Sequence, residues 1–178
     1  MAIYSQFESG TVGDVVFHIT VVSSKDLGSK LKNFQSREPL PGCPQFVVPA
    51  NSEHDTQRGD HIVFQVTEPP FRVKFRSALV VQPGEYMEII MNSEEGVVKK
   101  LVPFHLLNRM HKIIYTSCLY DEQRAVERAE FRLKHREQCY HVLKNNSHFF
   151  VTWCITGREY SLTDILRTLE SLSCKQKQ

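Results

Sequence analysis

Between Gly59 and Leu107 the sequence is cut into short apolar runs by tight-turn signals, and that spacing restricts the chain to an antiparallel sheet. His61–Val66, Phe71–Val81, Tyr86–Met91 and Val97–Leu107 read as strands, rich in Val, Ile, Phe and Tyr. Pro69-Pro70 interrupts the first pair. Gln82-Pro83-Gly84-Glu85 supplies a fixed φ followed by a residue that tolerates positive φ, as a type II turn needs. Asn92 to Gly96 is the next turn.

After a transition at 108–120, the pattern turns helical from Asp121 to Lys144. Ala125, Ala129 and Leu133 recur at helical spacing, and Asp121 suits the N-terminus. Arg124, Glu127, Arg128, Glu130, Arg132 and Glu137 alternate in sign, as on a solvated face. A second helix runs from Ser147 to about Cys154, and Gly157 can end it. A last helix is expected over Ser161–Leu172, with Leu162, Ile165, Leu166 and Leu169 on one side. Residues 1–57 read as an extension with one strand, Val12–Val22, and a Pro-rich loop at 37–44, separable from a folded unit at 58–178. The expected class is α+β, an antiparallel sheet of about four to six strands against about three helices.

Composition narrows the function. A net charge of +2 over 178 residues is too weak to argue for nucleic acid by itself. No apolar run approaches the roughly 20 residues that span a bilayer, and the N-terminus lacks a signal-peptide pattern. The five cysteines include no Cys-x-x-Cys pair, so buried thiols in a reducing cytoplasm are expected, with no metal and no cofactor.

Several stretches, taken in order, resemble one family. Gly59-Asp60-His61 looks like its opening strand. Val97-Val98-Lys99-Lys100-Leu101 is similar to its Val-Val-Lys-Lys-Glu-Leu, and Arg128-Ala129-Glu130 to the Arg-Ala-Glu of the helix before its nucleophile. Asn146 through Gly157 aligns without gaps with Asn-Cys-Glu-His-Phe-Val, four further positions and Tyr-Gly. These are the lecithin:retinol acyltransferase-like thiol acyltransferases and phospholipases, permuted relatives of papain-like and NlpC-like hydrolases. The picornaviral 2A proteins with histidine and Asn-Cys boxes stand beside them. The resemblance covers 58–172 and implies a sheet whose two histidines face a cysteine at a helix N-terminus. There the helix dipole and an imidazole stabilise the thiolate.

Carried onto this chain, the nucleophile falls at Ser147, the first histidine at Arg76 and the orienting residue near Ile89. A serine hydroxyl needs a base, and an arginine accepts no proton at neutral pH. His148, next to Ser147, points about 100° away on a helix, and His61 has no reason in the sequence to approach. The expectation is a scaffold without its chemistry that works by binding a protein partner. Cellular members usually end in a membrane anchor. This sequence stops without one, which fits a viral 2A-like protein engaging host factors in the cytoplasm. Two other functions fit these residues. Arg72, Lys74 and Arg76 alternate along one strand and, with Lys99 and Lys100, could form a basic sheet face for RNA. Ser147 could retain a residual serine-dependent acyltransferase or esterase activity.

Overall fold

The structure, a computed structural model, describes residues 6–12, 15–21, 44–68, 72–115, 120–135 and 146–158. The strands are β1 (Gln6–Val12), β2 (Val15–Val21), β3 (Pro44–Pro49), β4 (His61–Glu68), β5 (Arg72–Gln82), β6 (Tyr86–Ser93), β7 (Gly96–Pro103) and β8 (His111–Tyr115). The helices are α1 (Glu122–Lys134) and α2 (Ser147–Thr156). The strands form one sheet in the order β1-β2-β3-β8-β4-β5-β6-β7. From β3 through β7 every pairing is antiparallel, which makes a six-stranded antiparallel unit. The β1–β2 hairpin joins it through a parallel β2–β3 contact. The α+β class is therefore as expected, with two helices among the described residues. The expected helix at Ser161–Leu172 lies outside them, as does the stretch of the first helix beyond His135.

Three details differ from the sequence reading. The strand expected at Val12–Val22 is present as β2, Val15–Val21, and an additional strand, β1, precedes it and pairs with it as a hairpin. The transition at 108–120 contains β8, a central strand between β3 and β4. Its five residues, His-Lys-Ile-Ile-Tyr, are too few to show a period above the background of neighbouring polar residues. The 1–57 stretch is not merely an appendage, because β3 is hydrogen-bonded along β8 from Pro44↔Tyr115 to Pro49↔His111.

Strand alternation gives the sheet two buried faces. On one, Leu79, Val81, Ile90 and Val97 meet Ala125, Val126 and Ala129 of α1 and Phe150, Val151, Cys154 and Ile155 of α2. On the other, Ile62, Phe64, Ala78, Val80, Met87, Ile89 and Met91 meet Ala50, Leu107 and Met110. The β7–β8 connection closes this second face. It turns through one 3-10 turn at Phe104–Leu106, and its backbone is tied by Gln65 N–H to Asn108 O at 2.8 Å and by Ala50 N–H to Met110 O at 3.0 Å.

α2 is apolar on nearly every side because it is wedged between the sheet and α1. Asn146 caps it, accepting from His148 N–H at 2.9 Å and Phe149 N–H at 3.3 Å. Gly157, at φ +75°, ends it and donates to Trp153 O. α1 starts on Asp121, whose carboxylate accepts from Arg124 N–H at 2.8 Å.

Candidate functional site

The N-terminus of α2 abuts β5 where that strand loses its partner. The β5–β6 register runs from Leu79↔Ile90 to Gln82↔Glu88, so Ser77 lies beyond it. The Ser77 N–H points to that unpaired side and donates instead to Ser147 Oγ at 3.1 Å. Ser147 is 1% exposed. Its hydroxyl thus serves a backbone amide, and among the described residues no imidazole is hydrogen-bonded to it.

The imidazoles converge on Ser77 instead. His148 Nδ1 lies 2.6 Å from Ser77 Oγ, and His61 Nε2 lies 2.7 Å from the same oxygen. His61 Nδ1 is 2.7 Å from the Tyr115 hydroxyl of β8, with the two rings roughly parallel at 22°. The line Tyr115–His61–Ser77–His148 joins β8, β4 and β5 to α2. Register explains its assembly. His61 pairs with Leu79 and Val63 with Ser77, so alternate residues of β4 and β5 face the helices together.

Burial fixes the charge state of this line. Burial, and then the neighbouring His148, holds His61 well below the ordinary histidine range. Burial, and then the Arg76 guanidinium, lowers His148 to about 3. Both rings are neutral at physiological pH, each with one donor and one acceptor nitrogen. Ser77 has one proton, so it donates to one imidazole and accepts from the other. The chain of hydrogen bonds consequently runs in one direction, from Tyr115 to His148 or the reverse. Each contact along the line has one donor and one acceptor, which makes the network rigid.

The positions implied by the family resemblance are not brought together. Arg76 pairs with Phe64 on the opposite face of the sheet, and its guanidinium is 3.7 Å from Glu94. Ile89 is 1% exposed within the core of that same opposite face. Of the three, only Ser147 reaches the helix-side cluster. His61, whose approach no local pattern implied, and His148 are both part of it. Ser77 and Tyr115 went unrecognised. One signal was present for Ser77: a serine between Phe75 and Leu79 interrupts an otherwise apolar inward face.

The basic residues are also divided. Lys74 and Arg76 share the face that Lys100 takes opposite Ile89, whereas Lys99 pairs with Ile90 on the helix side. There Lys99 Nζ is 3.1 Å from Glu88 and 3.7 Å from Glu130. The side chain of Arg72 lies outside the described set. A cleft of about 180 Å³ opens away from the imidazoles, between Gln57–Asp60 and the start of α1. Among the described residues no cluster of three metal-ligating side chains occurs, and no helix is long and apolar enough to cross a membrane. Cys154 is a buried free thiol.

No family model, no curated protein and no solved structure matches this chain.

Proposed function

We propose that the chain is a catalytically silent, acyltransferase-like scaffold that works in the cytoplasm by binding a protein partner, in the manner of a picornaviral 2A protein engaging host factors. The observation that carries this reading is the state of Ser147. Its oxygen accepts from a backbone amide, it is 1% exposed, and among the described residues no base is bonded to it. A serine in that setting is neither activated nor reachable. The helix dipole that would favour a thiolate does little for a hydroxyl, which is not ionised near neutral pH. The basic sheet face for RNA is less well supported, since Lys99 and Arg76 sit beside carboxylates.

One geometry favours a second reading. Ser77 Oγ, His61 Nε2 and the Tyr115 hydroxyl on His61 Nδ1 have the distances of a nucleophile, a base and an orienting group, with His148 Nδ1 a second imidazole on the same oxygen. Ser77 is wholly buried, so this reading requires the chain to open before an ester can reach it. A fluorophosphonate probe separates the two readings. The silent scaffold remains unlabelled. Labelling lost in Ser77→Ala supports serine chemistry at the imidazole pair, and labelling lost in Ser147→Ala supports the residual activity that the family resemblance implies.

A further inference from the structure

Along α1, Arg124, Arg128 and Arg132 recur at four-residue intervals, on one side of the helix and about 6 Å apart along its axis. Two rings from other parts of the chain are threaded between them. The Arg124 guanidinium is 5.9 Å from the centre of the Tyr120 ring. Arg128 lies 4.3 Å from that ring and 3.7 Å from the Trp153 ring, and Arg132 also lies 3.7 Å from Trp153. Trp153 therefore lies against two guanidinium groups, those of Arg128 and Arg132. Cation and ring alternate from Arg124 through Tyr120, Arg128 and Trp153 to Arg132.

Part of this column ties α1 to α2, since Arg128 also donates to Trp153 O at 3.1 Å. Packing alone does not account for its charge. Like charges four residues apart on a helix repel, and among the described residues neither Arg124 nor Arg128 has an ion-pair partner. The Arg128 Nε is buried and has no acceptor among the described residues. Arg76, Lys99 and Lys112, by contrast, each sit beside a carboxylate. Arg124 is exposed, and Tyr120, Arg128, Arg132 and Trp153 are each partly so.

We propose that this guanidinium column docks the phosphodiester backbone of single-stranded RNA. Contact with the rings limits where these guanidinium groups can go, so the N–H groups that still face solvent, those of the exposed Arg124 above all, meet an anion with little side-chain entropy left to lose. The spacing of about 6 Å along the helix is of the order of that between neighbouring phosphates in an unstacked strand. The flat outer face of Arg124 can continue the stack onto a base, which RNA supplies and an acidic peptide does not. The surface is distinct from the sheet-face patch, and it does not depend on the chain's being a protein-contact domain.

Trp153 is the only tryptophan in the sequence, so the column contains its own reporter. The full chain is titrated with a fluorescein-labelled oligouridylate while fluorescence anisotropy and Trp153 emission are followed across a salt series. Binding that changes Trp153 emission and weakens with added salt is expected. Each lost phosphate contact lowers the slope of log K against log salt by about 0.7 on a single strand. Arg124→Gln should show that reduction with its circular dichroism unchanged, and Arg124→Lys should keep the slope. Lys74→Gln and Lys100→Gln should bind as the parent does. The proposal is overturned by an absence of binding at low salt or by an unchanged slope in Arg124→Gln. It is equally overturned if the lysine variants lose binding in its place. Equal binding of polyglutamate or of phosphatidylserine vesicles, with the same Trp153 response, would assign the column to an acidic protein or a membrane and likewise overturn it.

Discussion

Ser77 has one proton to give and two imidazoles within reach of its oxygen. Replacing it with alanine leaves two buried ring nitrogens without a partner, each costing about 1–3 kcal/mol. Ser77→Ala should therefore lose about 2–5 kcal/mol in urea unfolding, far more than a serine on a solvated strand would. Ser147→Ala removes the acceptor of the Ser77 amide and should lose about 1–3 kcal/mol. The same imidazoles set a pH dependence. In the unfolded chain each takes up a proton below pH 6.5, whereas in the folded chain both are held below that value, His148 to about 3. Protons then bind preferentially to the unfolded state, so stability is full above pH 6.5 and falls as pH drops through the window beneath it. The slope is about 1.4 kcal/mol per pH unit for each histidine fully held neutral. Urea midpoints at pH 7.5 and 5.5 measure this, and His148→Asn should show a shallower fall. A flat profile would mean that the rings are already protonated or exposed.

At the scale of elements, the two ends of β4 and α1 meet where a side chain would not fit. Gly59 has φ +82°, and a Cβ built there would lie 2.7 Å from Glu122 Cβ and 2.8 Å from Glu122 Cα. Its own N–H donates to Val80 O at 2.8 Å, so the glycine cannot move away without breaking the start of the β4–β5 pair. Gly59→Ala should lower stability by about 2–4 kcal/mol, combining a left-handed φ with a clash against backbone. Thermal unfolding checks it, and a loss under 1 kcal/mol would place α1 further from this turn. Much at this scale was legible in the sequence. The Pro83-Gly84 turn, the Asp121 cap and the Gly157 stop each act through neighbours a few residues away, so local chemistry reveals them. β8 was not legible, because its place is set by pairing with β3 and β4 across long loops. The imidazole line was hidden for the same reason. Its members come from β4, β5, β8 and α2, and only a known register brings His61 and Ser77 to one face.

For the molecule as a whole, the two sheet faces depend on a strand from the segment that reads as an extension. β3 covers the edge of β8, and Val47 and Val48 are buried at 0% and 5% exposure. Ala50, just after it, belongs to the core of the second face. Removing residues 1–57 would uncover β8, whose Tyr115 holds His61 in line, and would leave an unpaired apolar edge prone to association. The parallel contact between β2 and β3 is slight by comparison, aligned among the described residues at Thr20↔Phe46 and Val21↔Val47. Two truncations therefore differ sharply. A chain starting at Pro44 should keep a cooperative thermal transition and the amide-exchange protection of β4 and β5. A chain starting at Arg58 should aggregate or melt without cooperativity, because the line from Tyr115 to His148 then borders an open edge. If the Arg58 start folds as well as the Pro44 start, β3 is an ornament on the sheet. The buried imidazole line would then be held by β4, β5, β8 and the helices without help from the N-terminal segment.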